Sequence, residues 1–165
     1  MRKQLFAVML LVFIAVPAQA DFNNAVVFYS QGEYDQAFRE MQSLAVTAKH
    51  PLAMYFLGIM YSNGQGVEQD LKEGAKWYKA AAKLGVAPAQ YRLGKLYMKG
   101  KGVPKDMETA YAWFSVAVVN GHKLSVPAKA QAEQELSPEE LDQAEKLADK
   151  FKQKYRKPEK KPGQP

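Results

Sequence analysis

Few side chains in this chain have the type and spacing that chemistry requires. The sequence contains two histidines, His50 and His122, and no cysteine. No His-x-x-x-His or Glu-x-x-His pattern supplies ligands for a transition metal. No serine lies in a Gly-x-Ser-x-Gly motif that would mark a nucleophile. The sequence therefore predicts no catalytic residue, no metal site and no cofactor.

Two glycine motifs, Gly64-x-Gly66 and Gly100-x-Gly102, could be read as phosphate-binding loops. A P-loop requires the pattern Gly-x-x-x-x-Gly-Lys-Ser/Thr after a strand, and neither motif meets this condition. Glycine also accepts positive φ angles freely, so both motifs are interpreted as turns that follow a helix. The histidines also fall in turns, where a structural role is favoured over catalysis.

The chain is organised around a unit that occurs twice. Residues 57–61 read Leu-Gly-Ile-Met-Tyr and residues 93–97 read Leu-Gly-Lys-Leu-Tyr. The interval is constant, since 94 − 58, 106 − 70 and 121 − 85 all equal 36. A fixed period in this range is typical of a solenoid, in which one repeat cannot bury its apolar face alone.

Each unit is predicted to contain two helices. The first runs from about Pro51 to Ser62, and again from about Ala87 to Met98, because apolar residues recur there at helical spacing. Asp70 is predicted to cap the second helix, with Glu73 in the position of a capping box, and Asp106 to cap its counterpart.

Two glycines inside the first helices, Gly58 and Gly94, cost about 1 kcal/mol each relative to alanine. Because the cost recurs at one register, it indicates a close helix–helix approach that a Cβ atom would block.

On the second helix of the first repeat, four lysines share the face opposite the apolar one, which predicts a solvated side. These lysines are Lys72, Lys76, Lys79 and Lys83.

The pattern Ala-x-x-x-Leu-Gly-x-x-Tyr-x-x-Gly-x-Gly-Val-x-x-Asp, followed by a Trp-aromatic pair, resembles the Sel-one-like repeat over residues 53–121. That family is related to the tetratricopeptide repeat, whose period is about 34. The resemblance implies an all-α fold, an α/α solenoid of helix-turn-helix repeats. It also implies a protein that binds other proteins and scaffolds complexes. The cysteine-rich secreted members differ from this chain, so no activity is carried over from them.

Residues 1–20 are interpreted as a secretory signal peptide. Arg2 and Lys3 precede an unbroken apolar run from Leu5 to Val16, and Ala-Gln-Ala follows at 18–20. The run is too short to span a membrane, which needs ~20 apolar residues. We therefore expect an exported protein, periplasmic or secreted, whose mature chain begins at Asp21.

The rest of the chain divides into five segments. Residues 21–50 are a degenerate helical hairpin, 51–86 and 87–122 are the two repeats, and 123–156 hold C-terminal helices that include a cap. Ser137 begins that capping helix, with proline next and glutamate third. Residues 157–165 are charged and proline-rich, which predicts a disordered basic tail.

Charge is distributed unevenly along the chain. Residues 72–105 hold nine basic residues and one acidic residue, residues 106–149 hold three basic and nine acidic, and residues 150–165 hold seven basic and one acidic. A basic patch can bind nucleic acid non-specifically, but the export signal argues against that. Most of these charges are interpreted as solvated faces.

The candidate partner-binding residues lie on the first helix of each repeat. Arg92, Lys95 and Lys99 share one helical face, and subtracting the period of 36 gives Phe56, Ile59 and Asn63 in the preceding repeat. In one interpretation they form an apolar pocket beside a basic strip. In the alternative, Phe56 and Ile59 pack against the first hairpin and complete its core.

Three functions remain open on the sequence alone. The favoured one is an interaction module that binds a peptide or helical segment of another envelope or secreted protein in the concave groove of the solenoid. The second is a cell-envelope tether whose basic tail contacts anionic lipid or polysaccharide. The third is an enzyme with an unrecognised site, which the missing chemistry disfavours.

Overall fold

The computed structural model describes residues 21–157, and every regular element in that range is an α-helix. The predicted signal peptide and residues 158–165 of the predicted tail lie outside the described residues. Within 21–157 no helix has the length and apolarity needed to cross a membrane. The eight helices of this range are α1 Phe22–Ser30, α2 Tyr34–Thr47, α3 Pro51–Asn63, α4 Leu71–Lys83, α5 Ala87–Lys99, α6 Met107–Val119, α7 Ser125–Gln134 and α8 Pro138–Tyr155.

The two repeats correspond to the pairs α3/α4 and α5/α6, and the bounds of the first helices, α3 and α5, lie within one residue of those predicted. The predicted caps are confirmed. The Asp70 side chain accepts from the amides of residues 72 and 73, and the Asp106 side chain accepts from that of Thr109. Glu73 does not form the predicted capping box. Its carboxylate lies 2.6 Å from Lys76 Nζ, an i, i+3 ion pair, because both side chains face solvent on the same turn.

The close approach predicted at the helical glycines is confirmed in both repeats. A Cβ atom on Gly58 would lie 2.5 Å from the Tyr78 ring, and one on Gly94 would lie 2.6 Å from the Phe114 ring. Tyr78 and Phe114 are both buried and are themselves one period of 36 apart. Glycine therefore lets the two helices of each repeat pack around an aromatic ring.

The second glycine of each Gly-x-Gly turn serves a different contact, between successive repeats. Gly66 and Gly102 both have positive φ angles. A Cβ atom on either would collide with a backbone carbonyl at the start of the second helix of the preceding unit, α2 or α4. That carbonyl belongs to Tyr34 for Gly66 and to Leu71 for Gly102. The turn of one unit is thus seated against the helix of the unit before it.

The N-terminal hairpin α1/α2 shares one apolar core with α3 and α4. Ala25, Met41 and Leu57 are fully buried within it. The aromatic rings of Phe22 and Tyr29 reach across from α1 toward α3. The degenerate hairpin therefore packs as a further unit of the stack.

At the other end, α8 closes the stack as the predicted capping helix. Ser137 and Glu140 form the reciprocal capping box at its start. Its apolar stripe packs on α6, where Ala144 and Ala148 are buried. Because α6 is covered by α5, α7 and α8, all residues from 110 to 117 are buried.

A polar network that sequence reasoning missed fastens the end of α8. Gln90 is fully buried on α5, and its amide nitrogen donates to the carbonyl of Ala82 at 2.9 Å and to that of Tyr155 at 3.3 Å. Asn120 donates to the same Tyr155 carbonyl at 3.1 Å and accepts from the backbone amide of Lys157 at 2.8 Å. The first residue of the predicted tail is therefore held by its backbone.

Candidate partner-binding groove

A groove between α3 and α5 brings together most of the predicted binding residues. It has a volume of about 280 Å³. Tyr78 and Leu96 line it beside Lys101. Five of the six candidates line it as well: Ile59, Asn63, Arg92, Lys95 and Lys99. The repeat period brings these side chains to one groove, because α3 and α5 are equivalent helices of successive repeats.

Phe56, the sixth candidate, lies elsewhere. Its ring centroid is 5.2 Å from that of Tyr29 and 6.0 Å from that of Phe22, in edge-to-face geometry. It is half-buried against the first hairpin, whereas Ile59 lines the groove. Phe56 thus takes the packing position that the alternative interpretation described, whereas Ile59 both packs against the same core and lines the groove.

The groove is cationic and no carboxylate lines it. Among the described residues, Arg92, Lys95, Lys99 and Lys101 form no ion pair with an aspartate or glutamate. Lys95 Nζ instead lies 5.5 Å from the centroid of the Tyr91 ring, within the range of a cation–π interaction. An anionic ligand would therefore meet charges that are not neutralised by ion pairing.

The floor of the groove is uncharged. Burial raises the pKa of the Tyr78 hydroxyl above its usual value, although a hydrogen bond with Ser62, and secondly the nearby Arg92 guanidinium, partly offset that rise. The same ring fills the space opened by Gly58. The residue that packs the helices of the first repeat together thus also lines the groove.

A second pocket of about 390 Å³ lies between α5 and α7, on the other side of α5. Lys95 and Lys99 line this pocket too. Its remaining walls come from Tyr91, Met98, Leu124, Pro127, Ala128 and Gln131. Sequence reasoning missed the α7 residues because that helix lacks the Leu-Gly-x-x-Tyr signature. Adding the period of 36 to Arg92 and Lys95 gives Ala128 and Gln131, so the repeat period could have identified these two residues of the pocket.

The two histidines occupy equivalent turns, since 122 − 50 equals 72, or two periods. His50 Nδ1 accepts from the Ala53 amide at 3.3 Å and caps α3. His122 Nδ1 lies 2.9 Å from the hydroxyl of Ser125, which is fully buried at the start of α7. Burial, and secondly Arg92, hold the pKa of His122 below its usual value.

A Ser–His pair at this distance invites comparison with a hydrolase site, but the surroundings differ. A nucleophile must reach a substrate, and Ser125 is buried. No described carboxylate orients the His122 ring, which packs 4.6 Å from the Tyr91 ring. The described part of the chain also holds no group of three His, Asp or Glu side chains that could bind a metal. The pair therefore acts as a helix-start contact.

A wider cleft of about 570 Å³ lies at the N-terminal ends of α3 and α5. It is lined mainly by turn residues, including both histidines, and by the exposed Leu52 and Leu84. Lys157, the last described residue, lines it as well. It contains none of the six predicted binding residues.

Helix pairs that repeat with a period of 36, stacked through their turns, define an α/α solenoid. The chain contains two Sel1 repeats: the Sel1 repeat family model matches residues 51–86 and 87–122, the two units found in the sequence. Sel1 repeats generally act as protein–protein interaction modules. No curated protein matches the chain.

Solved structures with the same fold include two that are relevant here. A protective antigen present in uropathogenic Escherichia coli strains, which displays an SLR fold, is 29% identical with a TM-score of 0.78 over 82% of this chain and 30% of its own. A Sel1 repeat protein from Oxalobacter formigenes is 29% identical with a TM-score of 0.64 over 79% of this chain and 56% of its own. The chain thus spans less than two thirds of either neighbour.

Proposed function

We propose that this protein is an exported, non-catalytic interaction module that binds an acidic segment of another envelope or secreted protein in the groove between α3 and α5. One observation carries the proposal. Five of the six residues chosen by repeat register line one groove that has an apolar floor, four cations and no carboxylate. The general role of Sel1 repeats in protein binding supports it.

Two kinds of residue in the groove contribute to binding in different ways. The half-buried Ile59 and Leu96 supply apolar surface, where an anchoring side chain gains most of its binding free energy, often 2 kcal/mol or more. The cations set orientation and speed encounter, because long-range attraction acts before contact. A partner with an apolar side chain flanked by carboxylates would satisfy both.

We expect the triple variant Arg92→Glu, Lys95→Glu, Lys99→Glu to associate with the partner about tenfold more slowly at low salt. The difference should shrink as salt rises, since the Debye length falls to about 3 Å at 1 M. The partner is first identified by crosslinking in living cells and mass spectrometry, and association is then followed by surface plasmon resonance.

The matched control carries the same charge change on the opposite, exposed face of α4, as Lys72→Glu, Lys79→Glu, Lys83→Glu. If net charge alone matters, both triple variants will slow association equally. That result would contradict a specific role for the groove. A slower rate confined to the groove variant supports it.

Export places the groove where an envelope partner can reach it, and the sequence of residues 1–20 supports export. N-terminal sequencing of protein recovered from the cell envelope should read Asp21-Phe22-Asn23. Intact protein that starts at Met1 and stays in the membrane would show that the apolar run is an anchor instead.

A further inference from the structure

Two pockets lie side by side across α5, and the same two lysines line both. The first, between α3 and α5, offers Ile59 as an apolar wall. The second, between α5 and α7, offers Met98 and Leu124. Lys95 and Lys99 therefore form a cationic ridge between two partly apolar pockets. The proposed function uses only the first pocket, and the pair of pockets specifies the ligand more closely.

We propose that the ligand is an acidic amphipathic α-helix of a protein partner that crosses α5. It places one apolar side chain in each pocket and two carboxylates over the ridge of Lys95 and Lys99. This inference rests on the proposed function. It adds the second pocket and the helical form of the ligand.

The spacing of the pockets sets the spacing of the anchors. An α-helix with its side chains is about 10 to 12 Å wide, so pockets on the two sides of α5 are separated by roughly that distance. An α-helix rises about 1.5 Å per residue, so residues i and i+7 lie about 10.5 Å apart and share one face. Residues i+3 and i+4 lie on that face between them.

Extended ligands fit this arrangement less well. In polyproline II, residues i and i+3 are about 9.3 Å apart on one face, but the two side chains between them turn away. In a β-strand, residues i and i+4 share a face about 13 Å apart with one side chain between them. A helix places two side chains between two anchors on the face that meets the ridge.

Charge complementarity selects an acidic helix. Neither pocket is lined by an aspartate or glutamate, and within residues 21–157 neither ridge lysine forms an ion pair. Arg92 and Lys101 add two further positive charges on the α3 side. A helix with apolar residues at i and i+7 and glutamates at i+3 and i+4 matches both the shape and the charge.

A pair of composition-matched peptides tests the pattern. Each is an alanine-based, fluorescently labelled helix of about 18 residues, long enough to be helical in isolation. One carries leucines at i and i+7 with glutamates at i+3 and i+4, and the other exchanges the two residue types. Fluorescence anisotropy with the chain from Asp21 onward should show the first peptide binding about tenfold more tightly. Equal affinity, a reversed preference or no binding by either peptide would overturn the inference.

Two serine variants locate the second anchor. Leu124, the residue before α7, is 65% exposed and lines the pocket, whereas Val126 in the first turn of α7 is 55% exposed and does not. Leu124→Ser should weaken the first peptide about tenfold, and Val126→Ser should leave it unchanged. Equal effects would exclude the second pocket. The proposed function would still stand if the groove triple variant alone slowed association with the captured partner, so the two failures are distinguishable.

Discussion

Replacing Gly94 with leucine is expected to destabilise the protein by about 3 kcal/mol. A Cβ atom at this position would lie 2.6 Å from the Phe114 ring, and that ring is fully buried between α5 and its neighbours. The side chain cannot be accommodated unless the ring moves, and the ring has little free space because protein interiors are close-packed.

The expected change in a thermal unfolding experiment is a fall in Tm of about 10 °C for a domain of this size. Gly94→Ala tests the same contact more finely. Alanine favours the helix over glycine by about 1 kcal/mol, so a loss of stability would have to come from the contact with Phe114. Ala130→Leu, on an exposed position of α7, serves as the control and should be nearly neutral. A wild-type Tm in Gly94→Leu would contradict the packing argument at this position.

Repeat register explains why much of the fold could be predicted from the sequence. The caps at Asp70 and Asp106, the glycine turns and the helical glycines each recur after 36 residues. Each recurring feature meets a local physical requirement: an amide without a partner at a helix start, a positive φ angle, or a close approach. Local requirements of this kind depend on residues that are close in the sequence, so they can be predicted without the structure.

The position of Phe56 could not be fixed in the same way. Register assigned it to the same helical face as Ile59, but the ring turns toward Phe22 and Tyr29 of the first hairpin. That contact depends on how a degenerate unit packs on a regular one. The sequence offered both interpretations and no local signal to choose between them.

The long-range polar contacts could not be predicted from the sequence either. Gln90 is a polar residue in an amphipathic helix, and only the return of α8 places the Tyr155 carbonyl beside it, 65 residues away in sequence. The repeat period gave only a weak indication of the α7 residues that line the second pocket. The helix signature itself had decayed, so the signal carried little weight.

Ile59 is the most important apolar residue of the proposed binding site. Its side chain is half-buried at the groove between α3 and α5, so a glutamate there would place a charge on the apolar surface and beside an acidic ligand. Both effects oppose binding, because the ligand would lose its anchor and meet a like charge. We expect Ile59→Glu to abolish capture of the partner.

Leu52→Glu is the matched control. Leu52 lies on the same helix and is 42% exposed, but it lines the cleft at the helix start and not the groove. The same substitution there introduces the same charge on α3. Comparing the Tm of the two variants by thermal unfolding separates a loss of binding from a loss of fold.

The most direct measurement is therefore crosslinking capture in living cells by the wild-type protein, Ile59→Glu and Leu52→Glu, with the captured partner quantified by mass spectrometry. We expect wild type and Leu52→Glu to capture the partner equally and a folded Ile59→Glu to capture none. If a folded Ile59→Glu captures the partner normally, the groove is not the binding site, and the lysine face from Lys72 to Lys83 on α4 becomes the next surface to test.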